Sequence, residues 1–282
     1  MPTLSYEVFP PSTKEACGRL NTTLKALKSL EPEFISVTCS SQSLNLAAET
    51  LKVADYVQNA VQVPTMAHLP ALYLSKNDVD EIMPKLRERQ VKQVLVLRGD
   101  VREKLPVKAD FKHASDLVAY IRENYPDFKI TGACYPEMHP EAKSMVEDVR
   151  NLKLKVDAGC DQLITQLFLN NESFYRFREL CAIANINVPI LAGVMPVVSE
   201  RQVSGILKTS ASRVPAKFKT VLDKYQNYPH ALREAGITYA IDQIVDLLAN
   251  EVDGIHLYTM NQADTAWQIK NDIGALFEVQ SA

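Results

Sequence analysis

Eight short apolar segments alternate with longer amphipathic segments along the 282 residues, and no other feature of the sequence constrains the fold as strongly. The short segments are rich in β-branched and aromatic side chains, which is typical of strands. Strict alternation of strands and helices indicates a parallel sheet, and eight is the number of strands that closes a barrel. The predicted strands are residues 5–9, 33–38, 64–69, 93–98, 129–135, 162–168, 189–194 and 254–258.

Helical periodicity fills the intervals between these strands. In residues 141–158, apolar side chains recur at a spacing near 3.6 residues, which predicts an amphipathic helix. Residues 211–230 resemble an extra helix inserted before the last unit. A (β/α)₈ barrel needs about 250 residues, so we expect one barrel over residues 1–282, with an open doubly wound sheet as the competing α/β architecture. The other predicted helices are residues 14–30, 44–59, 78–89, 114–123, 238–248 and 262–277.

Composition excludes several classes of function. The nine glycines never form a G-x-G pattern, so the Rossmann fingerprint and the P-loop are both absent. A net charge of −3 provides no general attraction for nucleic acid. The five cysteines are scattered and never spaced C-x-x-C, which argues against a disulfide framework or a structural zinc site. Without a visible signal peptide or an apolar run of membrane-spanning length, the sequence predicts a cytoplasmic protein.

Chemistry in such a barrel takes place at the carboxyl ends of the strands. In the first strand, Glu7 alternates with Tyr6 and Val8 and therefore points to the opposite face. If that face is the barrel interior, desolvation raises the pKa of the carboxyl group and suits it to general acid catalysis. The alternative is a carboxylate in water at a strand edge.

Charged residues follow the fourth strand, which ends in Arg98, Gly99 and Asp100. The glycine would allow backbone to approach a ligand between opposite charges, although an ordinary turn with a local ion pair is equally compatible. Gln166 ends the sixth strand, and a ligand could supply the hydrogen bonds that this amide needs.

The loop after the fifth strand combines an aromatic ring, carboxylates and a histidine. One interpretation is a metal-dependent lyase or hydrolase with His68, Glu137 and His139 as ligands, but no H-x-H, H-E-x-x-H or D-x-D pattern supports that ligand count. Glu141 could instead lie in the first turn of the next helix, where the helix dipole favours a carboxylate.

The helix predicted over residues 141–158 carries Asp148, Asn151 and Lys155 on one polar face. Such a face is either exposed to solvent or turned toward a polar ligand.

Taken in order along the chain, several of these segments resemble the methylenetetrahydrofolate reductases, FAD-dependent enzymes of one-carbon metabolism, in their compact bacterial form. The combination of LRGD with YPEMHPEA is highly specific. The matching segments are YEVFPP at 6–11, FISVT at 34–38, AHL at 67–69, LRGD at 97–100, ASDL at 114–117, YPEMHPEA at 135–142, NLKLKVDAG at 151–159, ITQ at 164–166 and LYTMN at 257–261.

The resemblance implies a (β/α)₈ barrel with FAD and folate at its C-terminal face. NADH or NADPH would reduce FAD, which would then reduce 5,10-methylenetetrahydrofolate to 5-methyltetrahydrofolate for methionine synthesis. Glu7 matches the general acid that protonates N10, and Asp100 matches the acidic residue near flavin and pterin. The resemblance does not choose between NADH and NADPH, and it implies a homo-oligomer, no resident metal, and neither nucleic acid nor membrane as partner.

The resemblance also assigns binding residues. Folate would contact Asp100, Gln166 and Gln202. The residues implied for FAD are Thr38, Cys39, Ser41, His68, Arg98, Gly99, Asp100, Ala114, Tyr135, His139, Ala142, Asp148, Asn151 and Lys155.

Three positions depart from the pattern of the family. Leu154 and Gln262 replace arginines that would meet a phosphate and the folate carboxylates, and Ile206 replaces an aromatic residue. A further alternative is a catalytically silent subunit that binds flavin or folate, against which the retained Glu7 argues.

Overall fold

Eight parallel strands form a closed barrel in which β1 pairs with both β2 and β8. The computed structural model describes residues 1–11, 13–39, 46–101, 105–209 and 214–279. The closed barrel confirms the predicted α/β class and rules out the open sheet. The strands are β1 Thr3–Val8, β2 Ile35–Val37, β3 Thr65–Pro70, β4 Gln93–Leu97, β5 Lys129–Cys134, β6 Gln162–Thr165, β7 Ile190–Val194 and β8 Gly254–Tyr258.

Helices surround this barrel. The helix α8 lies within the predicted insertion, and α9 is longer than predicted. The described helices are α1 Lys14–Lys28, α2 Leu46–Asp55, α3 Lys76–Glu88, α4 Ala114–Asn124, α5 Met145–Asp157, α6 Asn171–Ile183, α7 Glu200–Thr209, α8 Ala216–Tyr225, α9 Pro229–Ala249 and α10 Ala263–Ile273, with a π-helical segment at Tyr56–Val61 and 3₁₀ turns at Ala71–Tyr73 and Gly274–Glu278. None of the helices described is long and apolar enough to span a membrane.

The start of α5 corrects a prediction. The helix begins at Met145 rather than at residue 141, because Ser144 adopts an extended conformation and its hydroxyl accepts from the Glu147 N–H at 3.2 Å. Residues 141–143 therefore belong to the preceding loop, and Glu141 does not lie in the first turn of the helix.

Alternation along the strands separates two apolar layers. The outward side chains of β1, Leu4, Tyr6 and Val8, belong to the large cluster between barrel and helices. A second cluster, within the barrel, contains Phe34, Met66, Leu95, Ile164 and Leu191. The inward positions of β1 are then Thr3, Ser5 and Glu7, so Glu7 lies above a filled core.

Candidate active site

A central cavity of about 260 Å³ opens at the carboxyl ends of the strands. It contains two carboxylates and one histidine from the predicted set, and neither lysine nor arginine is among the described residues that line it. The predicted site residues in this cavity are Glu7, Thr38, Cys39, His68, Gly99, Asp100, Tyr135 and Gln166.

A lateral cavity of about 410 Å³ lies beside the first, between the ends of β4 and β5 and the helices α4 and α5. Leu97, Ala133 and Tyr135 line both cavities, so the two share a wall. In contrast to the central cavity, the lateral one contains cations. The predicted residues along it are Arg98, Ala114, Tyr135, His139, Ala142, Asp148, Asn151 and Lys155.

Glu7 has the most strongly perturbed carboxyl group of the site. Its side chain is 20% exposed, and Oε2 lies 3.7 Å from His68 Nε2 and 4.0 Å from His256 Nε2. Burial raises the pKa of Glu7 to about 8 and lowers the pKa of His68 to about 3. The inward orientation that the sequence predicted is confirmed, and the raised pKa favours the protonated form of Glu7 at neutral pH.

The loop after β8 fixes the end of β1. The Thr259 hydroxyl donates to the Glu7 carbonyl oxygen at 2.7 Å. The Asn261 side-chain amide accepts from the Phe9 N–H and donates to the Phe9 carbonyl oxygen, both at 3.0 Å. These bonds hold the backbone on both sides of the strand end, which limits the positions that Glu7 can take.

The turn after β4 requires its glycine. Gly99 has φ of +89°, and a Cβ there would lie 3.2 Å from Pro70 Cβ and 3.4 Å from the Tyr73 ring. The Tyr73 hydroxyl donates to the carbonyl oxygen of Asp100 and fixes the turn. Asp100 is exposed and lines the central cavity.

Arg98 and Glu141 form a bidentate ion pair across the lateral cavity, with distances of 2.5 and 2.6 Å. The sequence did not predict this pair, because Glu141 was assigned to a helix and not to the loop. Arg98 Nε is buried and finds no hydrogen-bond partner within the described chain. The guanidinium group therefore retains a donor for a ligand in the cavity.

The polar face of α5 lines the lateral cavity. Lys155 Nζ donates to the Ala133 carbonyl oxygen, and burial lowers the pKa of this amine. Asp148 accepts from the His139 N–H at 2.8 Å, although burial still raises the pKa of its carboxyl group. The Tyr135 ring meets the His139 ring edge-on, with centroids 4.7 Å apart.

Other predicted residues are placed elsewhere. Gln202 holds the turn after β7, since its side-chain oxygen accepts from the Val198 N–H at 2.9 Å and its amide donates to Pro196 at 3.2 Å. It lines neither of the two cavities. Ser41 lies outside the described residues, as does the side chain of Ile206.

The other two positions that depart from the family pattern, Leu154 and Gln262, lie away from the centre of the site. Leu154 is 63% exposed at the edge of the lateral cavity, and Gln262 precedes α10 without a capping bond from its side chain.

The proposed metal ligands do not form one set. His68 lines the central cavity and His139 lines the lateral one. Within the described ranges, no group of three or more His, Cys, Asp or Glu residues could hold a metal ion. The alternative that rested on these ligands therefore has no geometric support.

His256 is a buried histidine of the barrel core, as its place on the eighth strand predicts, but its contact with Glu7 was not predicted from the sequence. It is fully buried beneath Glu7. His256 and Tyr258 are two residues apart, so both rings lie on the inner face of β8. Tyr258 crosses toward β6 and donates to the Thr165 carbonyl oxygen at 2.7 Å. The spacing of His256 and Tyr258 in the sequence indicates that they share a face of the strand. The contact of His256 with Glu7, in contrast, depends on the closure of β8 against β1.

Similarity to known proteins covers nearly the whole chain. The model of the methylenetetrahydrofolate reductase family matches residues 1–274. The chain is 34% identical to a 5,10-methylenetetrahydrofolate reductase from Pectobacterium carotovorum subsp. carotovorum, over 96% of this chain and 90% of that protein. It is 33% identical to methylenetetrahydrofolate reductase (NADH) 1 of Arabidopsis thaliana, over 97% of this chain and 48% of that protein.

A solved structure shares the fold. It is an uncharacterized protein from Clostridium thermocellum that binds two copies of 5-methyl-5,6,7,8-tetrahydrofolic acid. The TM-score is 0.68 at 13% identity, with 99% of this chain and 96% of that chain covered. The barrel, the two cavities at its C-terminal face and the match over residues 1–274 lead to one conclusion: the chain belongs to the methylenetetrahydrofolate reductase family.

Proposed function

We propose that this chain reduces 5,10-methylenetetrahydrofolate to 5-methyltetrahydrofolate, with FAD as its cofactor and NADH or NADPH as hydride donor. The nicotinamide and the folate would use the same central cavity in turn, and the reaction would supply methyl groups for methionine synthesis in the cytoplasm. The observation that carries this proposal is the inward position of Glu7, where burial raises its pKa to about 8, in a cavity that contains neither lysine nor arginine among its described lining residues.

The residues of the lateral cavity fit FAD. Arg98 has a buried Nε without a partner and Lys155 is buried nearby, which suits a diphosphate. Asp148 and Asn151 offer polar groups on the same cavity wall for a ribityl chain. Bound FAD would supply a hydride acceptor and donor at the central cavity.

His68 would contact the flavin. Its side chain is 9% exposed, and Nε2 is buried with no hydrogen-bond partner among the residues that the structure describes. The neutral ring can offer one nitrogen as donor or acceptor to the isoalloxazine edge.

Glu7 would act as the general acid. Its proton moves to N10 of the imidazolidine ring as the bond between N10 and the methylene carbon breaks, and the electrons of that bond remain on N10. The methylene group is left as an iminium cation on N5, and Glu7 becomes a carboxylate. Asp100 then stabilises the cation across the cavity, and Glu7 recovers a proton from solvent before the next turnover.

Gln166 would orient the pterin. It lies at the exposed rim, where its side-chain oxygen accepts from the Leu167 N–H at 2.8 Å. Its amide nitrogen can still donate to a pterin acceptor. Gln202, whose amide holds the turn after β7, would contact folate only if that turn changed.

One anaerobic experiment tests the proposal. Purified protein is reconstituted with FAD, mixed with NADH or with NADPH, and then mixed with 5,10-methylenetetrahydrofolate while the flavin absorbance is followed. We expect bleaching by a nicotinamide donor and reoxidation by the folate. Protein that binds FAD but is not reoxidised by the folate would contradict the proposal and support the silent subunit.

A further inference from the structure

His256 lies in a fully enclosed polar site beneath Glu7. Its Nδ1 is 2.7 Å from Ser5 Oγ, and its Nε2 is 3.2 Å from Ser36 Oγ. The ring stacks on Phe34, with centroids 5.7 Å apart. Two hydroxyls and a stacked ring therefore fix the orientation of the imidazole.

The protons in this network can be counted. The Ser5 hydroxyl has one proton and two acceptors within reach, the Ile255 carbonyl oxygen at 3.3 Å and His256 Nδ1 at 2.7 Å. When it donates to the carbonyl oxygen, it accepts from Nδ1–H. Burial lowers the pKa of His256 to about 3, so the ring is neutral and carries one proton. With that proton on Nδ1, Nε2 accepts from the Ser36 hydroxyl at 3.2 Å and has no N–H to offer Glu7 Oε2, which lies 4.0 Å away.

We infer that the Ser5 hydroxyl donates to Ile255 and accepts from His256 Nδ1–H, and that His256, whose Nε2 then carries no proton, is a positioning residue which keeps the proton on Glu7. This inference rests on the proposed role of Glu7 as proton donor. His256 and Ser5 need not touch the substrate, because they act through Glu7.

The direction of the effect follows from charge. An unprotonated Nε2 carries negative partial charge near the carboxyl group, which disfavours a carboxylate and tolerates a protonated acid. The opposite tautomer would place a proton, and positive partial charge, on Nε2 and favour the carboxylate. Ser5 thus selects the tautomer that suits a general acid.

The other titratable groups around Glu7 do not provide this selection. His68 on β3 is also neutral, and Tyr258 on β8 directs its hydroxyl to Thr165. Asp100 after β4 and Tyr135 after β5 line the same cavity. The described lining residues include no lysine or arginine. Among these groups, His256 is the ring whose Nδ1 contacts a second side chain, Ser5.

Nitrogen-15 NMR of histidine-labelled holoenzyme tests the tautomer directly. The chain has five histidines, and His256→Asn, or His68→Asn if the first variant does not fold, assigns the two buried rings. We expect His256 to be protonated on Nδ1 alone at neutral pH. A proton on Nε2, or on both nitrogens, would overturn the inference. Because the measurement needs no turnover, it remains decisive even if the protein fails to reduce folate.

Ser5→Ala tests the consequence for Glu7. Without the acceptor for Nδ1–H, the ring can take the other tautomer and favour the carboxylate. The pH midpoint of the folate half-reaction should fall by about one unit, the effect expected of one hydrogen bond to a charged group. Flavin reduction by the nicotinamide donor should keep its rate.

Thr131→Val is the matched control. It removes another buried hydroxyl of the barrel, one that accepts from Gln162 Nε2 at 2.9 Å. This variant should lose some stability but keep the parental pH midpoint. An unchanged midpoint in Ser5→Ala, or an equal shift in Thr131→Val, would contradict the role of His256.

Discussion

The two cavities share a wall but differ in charge. The central cavity contains Glu7, Asp100 and a neutral histidine, with neither lysine nor arginine among its described lining residues. The lateral cavity contains Arg98 and Lys155 together with several carboxylates. One end of the barrel thus combines a cavity in which a carboxyl group stays protonated with a cavity equipped to hold an anion.

Physical reasons favour this separation. A lysine or arginine beside Glu7 would lower its pKa and ionise it at neutral pH. A phosphate group, in contrast, requires cationic donors. The shared wall of Leu97, Ala133 and Tyr135 lies between the cations of the lateral cavity and Glu7.

Glu7→Gln should impair the reaction step in the central cavity, leave the lateral cavity unaffected and have the largest effect of the variants. Loss of the acid should slow reduction of the folate by about 10²- to 10⁴-fold, because the amide has no acidic proton for N10. FAD binding and flavin reduction should be retained. Stopped-flow measurement of each half-reaction checks this, with the exposed Glu172→Gln of α6 as control. Folate reduction at the parental rate would refute the role of Glu7.

Arg98→Ala should weaken cofactor binding in the lateral cavity. The variant loses the guanidinium charge with its free Nε donor and leaves Glu141 as an uncompensated carboxylate in the cavity, so FAD affinity should fall by about 100-fold. Arg98→Lys should recover only part of the loss, since an amine lacks the planar fork. Calorimetric titration of apoprotein with FAD measures the effect, and Arg178→Ala, which removes a surface contact to Asn250, serves as control. Equal affinity in Arg98→Ala would remove this residue from the cofactor site.

Glu7→Gln should be more stable than the wild-type protein even though it is less active. Folding raises the pKa of Glu7 from 4.5 to about 8, so between these values the folded protein holds a proton that the unfolded chain has released. This group therefore lowers stability as pH rises through that window, and the full loss is present above pH 8. Glutamine avoids the loss, and the variant should be more stable at pH 8 by about 4 kcal/mol.

Denaturant unfolding at pH 5 and pH 8 measures this difference. The advantage of Glu7→Gln should be smaller at pH 5 than at pH 8. An advantage that does not change with pH would mean that Glu7 is ionised in the folded protein.

Gly99→Ala should have the smallest effect, at the turn between the cavities. The positive φ and the contact with Pro70 should cost about 1–2 kcal/mol of stability. Gly18→Ala is the control, because an added Cβ in α1 meets nothing within 4 Å and should raise stability by about 0.5–1 kcal/mol. Thermal unfolding compares the two variants, and a stabilising Gly99→Ala would show that the turn tolerates a side chain.

Local pattern predicted much of this molecule. The parallel barrel follows from the alternation of strands and helices, and the face to which Glu7 points follows from the period of two along β1. Neither prediction needs knowledge of distant contacts. The polar face of α5 likewise follows from helical spacing. Its orientation toward a cavity does not, because exposure depends on what packs opposite.

Contacts that depend on barrel closure were not predictable. Ser5 and His256 are 251 residues apart and meet only because β1 pairs with β8. Arg98 and Glu141 are 43 residues apart, and their pairing depends on where α5 begins. That boundary is set by the cap at Ser144, and such boundaries are the least certain part of a helix prediction.

The protonation state of Glu7 tests the central claim most directly. An infrared difference spectrum between the wild-type protein and Glu7→Gln isolates the carboxyl band of this residue. We expect the band of a protonated acid at pH 7, converting to a carboxylate with a midpoint near pH 8. A carboxylate band already complete at pH 7 would contradict the account of a neutral central cavity.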